Sequence, residues 1–191
     1  MVHYGSEALV VVDAQEGFFN DHSRGIIPTL VQLMDSWIAS GRPLILTRYL
    51  NYPESPFNTL LDWPRLQEPP ETDLAQEVSE RADDAIAVID KYGYSCFTEE
   101  FQELARQGGW KDIYFCGVAT ESCVLKSAVD AFELGYIPRI VTDASSSDAG
   151  ENVHKSGLVV ARRLIGARHL VTTEQVLASF EVPHSLPSTP A

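Results

Sequence analysis

Short apolar runs alternate with amphipathic stretches along most of the chain. The apolar runs lack polar alternation, which is typical of strands buried on both faces of a parallel sheet. They occupy six segments: 8–12, 43–47, 85–89, 113–117, 137–142 and 169–171. Between them, apolar residues recur at helical spacing in segments 28–40, 98–107, 121–134, 151–165 and 173–180. This alternation predicts a single α/β domain of three layers, in which a parallel sheet carries helices on both faces.

One segment interrupts the alternation. Residues 49–72 contain five prolines and four aromatic residues, and a loop of this length in a compact domain is often functional. The alternative is a surface loop that packs its own aromatic side chains. The domain is predicted to span residues 1–182, and the Pro/Ser-rich residues 183–191 are predicted to be a disordered tail.

The composition limits the classes of function. The 191 residues suffice for one α/β domain with a substantial core. With 27 acidic residues against 14 Lys and Arg, the formal net charge is −13, which disfavours nucleic acid and anionic membranes as partners. The chain has no apolar run near the roughly 18 residues of a membrane span, and no leader-like start, so we expect a cytoplasmic protein.

The three cysteines, Cys96, Cys116 and Cys123, form no ligand cluster and no C-x-x-C motif. We therefore predict no structural zinc. No G-x-G-x-x-G follows the first strand, so no dinucleotide cofactor is expected. Cys116 lies inside an apolar strand and Cys96 near a helix start, where cysteine usually serves as a small buried hydrophobe.

Three residues with possible chemistry follow three different predicted strands. Asp13 follows the first, Lys91 the third and Cys123 the fourth, and ligand sites of open α/β sheets lie at the carboxyl ends of strands. Cys123 falls in the first turn of a helix, where N–H groups and the positive helix end favour a thiolate and a developing oxyanion. Asp13 is a candidate general base, and Lys91 would hold the charged forms of both partners.

Simpler interpretations remain open for these residues. Asp13 could cap a turn, and Lys91 could be an ordinary surface lysine. A Cys–His dyad is a rival to the Asp–Lys–Cys set, with His22 or His154 approaching Cys123 from connecting regions.

Three segments, taken in order and spacing, resemble the isochorismatase-like cysteine hydrolases. They are VVVDAQEGF at 10–18, KYGYSCF at 91–97 and GVATESCV at 117–124. The resemblance extends over residues 8 to about 178 and implies a catalytic triad of Asp13, Lys91 and Cys123. It also implies a cis peptide between Val118 and Ala119, and an oxyanion hole formed by the N–H groups of Ala119 and Cys123. The implied sheet has six parallel strands in the order 3-2-1-4-5-6, and the implied assembly is a homo-oligomer, a dimer or tetramer.

Two departures from known branches of the family narrow the expected function. Nicotinamidases of the family carry an Asp-x-His metal motif after the second strand, whereas residues 47–53 read TRYLNYP here. Isochorismatases proper lack the nucleophilic cysteine. The chain therefore resembles the metal-free amidohydrolases, which cleave a C–N bond of a small molecule such as an N-carbamoyl compound, ureidoacrylate, biuret or maleamate. The alternatives are a nicotinamidase-like amidase with an atypical metal site and a non-catalytic binding or scaffold protein.

The expected substrate pocket draws on two regions. Gln15 and Phe18 follow Asp13 closely, and Arg48 and Tyr49 leave the second strand beside it. From the proline-rich loop, Phe57 and Trp63 are expected to close over the site. We expect the Arg48 guanidinium to pair with a substrate carboxylate, with a structural ion pair to an acidic neighbour as the alternative.

Overall fold

Six parallel strands form the centre of the molecule, in the predicted order 3-2-1-4-5-6. The computed structural model describes residues 6–180, so the tail 183–191 lies outside the described residues. The strands are β1 (Glu7–Val12), β2 (Leu44–Tyr49), β3 (Ala87–Lys91), β4 (Asp112–Val118), β5 (Ile137–Ser146) and β6 (Leu170–Val171). All neighbouring strands pair in parallel.

Helices cover both faces of this sheet. They are α1 (Ile27–Ala39), α2 (Pro56–Thr59), α3 (Gln76–Ser79), α4 (Glu99–Gly108), α5 (Leu125–Glu133), α6 (Glu151–Leu164) and α7 (Thr173–Phe180). Leu9 and Val11 of β1 pack in one core with α1 and α7, whereas Val10 and Val12 pack in the other with α4, α5 and α6. The three-layer α/β/α fold is confirmed.

Two strands differ from the prediction in ways that bear on the site. β3 is shifted two residues along the chain, so that Lys91 is its last residue. β5 runs four residues past the predicted end, through the polar segment 143–146. Its pairing with β4 changes register between Phe115 and Gly117, and the resumed ladder satisfies backbone groups of a segment whose own β-propensity is poor.

Close backbone approaches bring the carboxyl ends of β1 and β4 together. Gly117 has φ 110°, and a Cβ there would lie 2.1 Å from the carbonyl oxygen of Val12. Only glycine fits such a position.

Helix α6 packs closely on the segment that carries Cys123. A Cβ on Gly157 of α6 would lie 2.9 Å from the Cα of Glu121, so α6 packs directly on the π-helical turn Thr120–Val124.

Candidate active site

Asp13 and Lys91 form a buried ion pair at the carboxyl end of the sheet. Lys91 Nζ lies 2.7 Å from Asp13 Oδ2, and the two side chains are 1% and 0% exposed. The Lys91 ammonium also donates to the carbonyl oxygens of Gly93 (2.8 Å) and Tyr94 (3.0 Å). Burial disfavours the charged form, but the attraction of Asp13 and Cys123 outweighs it, so the pKa of Lys91 is above its ordinary value. Lys91 is therefore a buried cation and not a surface lysine.

The two oxygens of the Asp13 carboxylate have different partners. Thr47 Oγ1 donates to Asp13 Oδ1 at 2.7 Å and accepts from the Asp13 N–H at 3.1 Å. The contact of Asp13 Oδ2 with Lys91 lacks the angles of a regular hydrogen bond, and within residues 6–180 this oxygen accepts none. Asp13 Oδ2 can therefore receive a proton while Oδ1 stays in place.

Cys123 lies beside this pair, near enough for both side chains to act on its pKa. The sequence analysis expected the helix start to favour a thiolate and Asp13 to act as the general base. Cys123 is 5% exposed, and burial raises the pKa of its thiol to about 12, although Lys91 lowers it in part. The resting group is a neutral thiol, so its activation requires a neighbouring base.

The peptide bond between Val118 and Ala119 is cis, as the resemblance implied. Ala119 is buried and directly precedes the π-helical turn, which replaces the regular first turn predicted for this helix. The role of the Ala119 and Cys123 N–H groups as an oxyanion hole stays a prediction.

The histidine rivals of Asp13 lie elsewhere. His22 is exposed, and His154 Nδ1 is 2.8 Å from Thr120 Oγ1, within the contact between α6 and the turn. Neither lines the cavity over Cys123. Among the described residues, Lys91 and Asp13, and neither of these histidines, are the side chains that act on the pKa of Cys123.

A cavity of about 250 Å³ opens over Cys123. Four of the predicted pocket residues line it: Phe18, Tyr49, Phe57 and Trp63. The other lining residues are Cys123 itself and four that were not predicted: Leu61, Tyr94, Ser122 and Asp148. Ser122 directly precedes Cys123, and Tyr94 follows Lys91 by three residues. This closeness in sequence could have identified both as pocket residues. No such signal marked Asp148, because its position in the cavity wall follows from the last four residues of β5, which were not predicted to be a strand.

Gln15 does not line this cavity, which corrects its predicted role in substrate binding. Its buried side chain donates to the carbonyl oxygens of Tyr49 and Thr72, both at 3.0 Å, and accepts from the Tyr49 N–H at 2.7 Å. With every polar atom engaged by backbone, Gln15 ties both ends of the proline-rich loop to the end of β1.

Arg48 also lies away from the cavity, so its expected pairing with a substrate carboxylate is not supported. Its Nε and Nη2 atoms donate to Asp90 Oδ1 at 2.7 Å and Oδ2 at 2.9 Å, a fork across β2 and β3. Strand alternation explains this, because Arg48 stands between Thr47 and Tyr49 and its side chain leaves the opposite face. The alternative of a structural ion pair is the one observed.

A match to a family model covers the domain. Residues 7–175 match the model described as the isochorismatase domain. The chain belongs to the isochorismatase family.

Curated relatives and solved structures of the family agree with this assignment. Nicotinamidase 3 of Arabidopsis thaliana is 24% identical over 178 residues, which cover 91% of this chain and 88% of that protein. The ureidoacrylate amidohydrolase RutB of Azorhizobium caulinodans is 31% identical over 80 residues, 41% of this chain and only 35% of that protein. The crystal structure of a cysteine hydrolase from Pseudomonas syringae pv. phaseolicola superposes with a TM-score of 0.80 at 19% identity, over 95% of this chain and 96% of that one.

The segment in which the family's nicotinamidases carry metal ligands has another role in this member. Asn51 Nδ2 donates to the carbonyl oxygens of Trp63 and Arg65, both at 2.9 Å, and its Oδ1 accepts from the Tyr52 N–H at 2.9 Å and from the hydroxyl of Ser55. Asn51 thereby holds the aromatic loop over the site. Across residues 6–180, no three His, Cys, Asp or Glu side chains are grouped so as to hold a metal ion, and a metal-independent reaction stays a prediction. Nor is any described helix both long and apolar enough to cross a membrane.

Proposed function

We propose that this protein is a cysteine hydrolase that cleaves a C–N amide bond of a small molecule through a thioester on Cys123. The observation that carries the proposal is the buried Lys91–Asp13 pair beside Cys123, directly beneath a cavity of about 250 Å³. A structural role does not require a buried carboxylate, ammonium and thiol at one point. Hydrophobic residues can often replace a whole buried ion pair without loss of stability, whereas removing one partner alone is costly. Hydrolysis of C–N bonds also agrees with the names of the amidohydrolase and nicotinamidase relatives.

The neutral thiol defines the first step. Asp13 Oδ2 takes the proton of Cys123 as the sulfur attacks the substrate carbonyl carbon. The C–N bond then breaks, the proton passes from Asp13 to the leaving nitrogen, and ammonia or an amine departs. Water, deprotonated by Asp13, attacks the thioester carbonyl, and the sulfur leaves with the proton to restore the thiol and release the acid.

Lys91 supports this sequence electrostatically. Its ammonium donates to two carbonyl oxygens and lies 2.7 Å from Asp13 Oδ2, so its position is fixed during the reaction. Its charge lies beside the Asp13 carboxylate and offsets the negative charge that passes to sulfur. Lys91 is therefore proposed to position and polarise, without donating a proton.

The experiment is ammonia release from a panel of small amides, ureas and N-carbamoyl acids with EDTA present. Turnover by the wild type should survive EDTA and fall by several orders of magnitude in Cys123→Ala. Cys116→Ala is the matched control, because Cys116 is equally buried but lies in β4 away from the cavity. Substantial turnover of a confirmed substrate by Cys123→Ala would contradict the proposal.

Nicotinamide belongs in the panel as the second candidate substrate. The match to a nicotinamidase along 88% of its length and the aromatic lining of the cavity both favour it. Activity lost in EDTA and restored by a divalent metal would indicate the alternative with an atypical metal site. A silent panel would favour the non-catalytic alternative. The predicted dimer or tetramer and the cytoplasmic location stay predictions.

A further inference from the structure

The cavity over Cys123 combines aromatic rings with a single acidic residue. From this combination we infer that the site selects small amides that carry a positive charge, such as an ammonium group, over neutral or anionic ones. The inference rests on the proposed function for the bond that is cleaved and adds the chemical class of the substrate.

Five aromatic side chains form a connected wall around the cavity. The rings of Phe18 and Trp63 are stacked at 6.0 Å, with an interplanar angle of 18°. Phe57 meets Tyr49 at 5.0 Å and Tyr94 at 4.8 Å, both edge to face. The negative faces of such rings attract cations, and cages of this kind are used to recognise quaternary ammonium groups.

The charge at the wall has the sign that favours a cation. Among the residues that line the cavity, Asp148 is the only one with a carboxylate, and no Lys or Arg lines it. Its carbonyl oxygen accepts from Asn20 Nδ2 at 2.8 Å, which fixes the backbone, while its carboxylate forms no ion pair within residues 6–180. The charge of Lys91 beneath the cavity is offset by Asp13. A substrate carboxylate would therefore meet no unpaired cation at this wall.

Tyr49 contributes a neutral ring to this wall. The residue is 2% exposed, and its hydroxyl is buried without a hydrogen-bond partner within the described residues. Burial, and to a lesser extent Cys123, raises the pKa of Tyr49, so the hydroxyl stays protonated. Tyr49 therefore adds an aromatic ring and no charge to the wall.

The size of the cavity restricts the molecule further. Ligand pockets for drug-sized molecules measure about 300–1,000 Å³, and this cavity measures about 250 Å³. A compact amide with one ammonium substituent fits this volume better than a nucleoside or a peptide.

Three probes of nearly equal size test the inference by calorimetry on Cys123→Ala, which binds without turnover. They are trimethylammonioacetamide, which is cationic, its neutral isostere 3,3-dimethylbutanamide, and anionic succinamate. We expect the cation to bind at least about tenfold more tightly than the isostere, with succinamate weakest. In the Cys123→Ala background, the second substitution Asp148→Asn should remove most of the preference for the cation. It should leave the affinity of the neutral isostere unchanged. Adding Asp83→Asn, which removes one negative charge from an exposed site outside the cavity, should leave all three affinities unchanged.

Each result decides between the two proposals. Equal affinities, tighter binding of succinamate, or no detectable binding of the cation would overturn the inference, whether or not the wild type hydrolyses amides. Ammonia release that persists in Cys123→Ala would overturn the thioester mechanism and leave the charge preference standing.

Discussion

Two ion pairs near the carboxyl ends of β1, β2 and β3 have opposite environments. Lys91 pairs with Asp13 with both side chains about 1% exposed or less, whereas Arg48 pairs with Asp90 with 36% and 37% of the side chains exposed. Lys91 and Asp90 are consecutive in β3, so strand alternation alone sends them to opposite faces. Adjacent residues of β3 therefore lie in two environments: Lys91 beside the Cys123 thiol and Asp90 at the surface of the sheet.

The difference shows which charged residues the function requires. Exposed ion pairs contribute about 0–1 kcal/mol to stability. A weak contact that helps hold the edge strand β3 to β2 is therefore a sufficient explanation of the Arg48–Asp90 pair. The buried pair carries a desolvation cost that a structural role does not demand. In the proposed function its value lies in the chemistry of Cys123, and substitutions in the two pairs should therefore behave differently.

The largest effect is expected for Lys91→Met. Asp13 would remain as a buried, uncompensated charge, so the free energy of unfolding should fall by about 3–5 kcal/mol. Turnover should fall about 10²–10⁴-fold, the range over which positioned proton-transfer groups act. Urea unfolding and ammonia release measure the two effects.

The double variant Asp13→Asn/Lys91→Met separates stability from chemistry, even where the single variant folds poorly. Removal of both charges should restore most of the lost free energy of unfolding, while turnover stays as low as in the single variant. A double variant less stable than Lys91→Met would show that the pair is primarily structural.

The next effect concerns the pH dependence of Cys123. Since burial places the pKa of its thiol at about 12, the thiolate fraction should rise tenfold per pH unit through the neutral range. Alkylation of Cys123 by iodoacetamide, followed by peptide mass spectrometry, should accelerate about 10³-fold from pH 7 to pH 10 without a plateau. In Lys91→Met the rate should be lower at each pH, because Lys91 lowers the pKa of the thiol.

Arg48→Ala serves as the control for this profile, since its ion pair lies on the other face. Its alkylation rates should coincide with those of the wild type. A plateau below pH 9 in the wild type would instead indicate a thiolate at rest, as the sequence alone suggested.

The smallest effect is expected for Arg48→Ala in stability and turnover. The free energy of unfolding should change by about 0–1 kcal/mol, less in high salt, and kcat and KM should stay within about twofold of the wild type. A large rise in KM for acidic substrates only would restore the carboxylate-binding role that the structure does not support.

The aromatic loop shows which features of the site local sequence could predict and which it could not. Its length and its aromatic residues indicated a functional segment, and Phe57 and Trp63 line the cavity. The role of Gln15 was misjudged, because a side chain next to Asp13 in sequence is drawn under the loop by three backbone hydrogen bonds. Such contacts join residues 34 and 57 positions apart, and no local pattern records them.

The sequence by itself determined the fold class, the strand order by resemblance, and the three residues that meet at the sheet edge. It could do so because buried parallel strands are continuous apolar runs and their carboxyl ends converge. Only the tertiary structure decided the burial of Cys123, the pairing of Arg48 with Asp90 and the presence of Asp148 in the cavity wall. Each of these depends on burial, strand alternation or register between distant segments, and these are set by the packing of the whole domain.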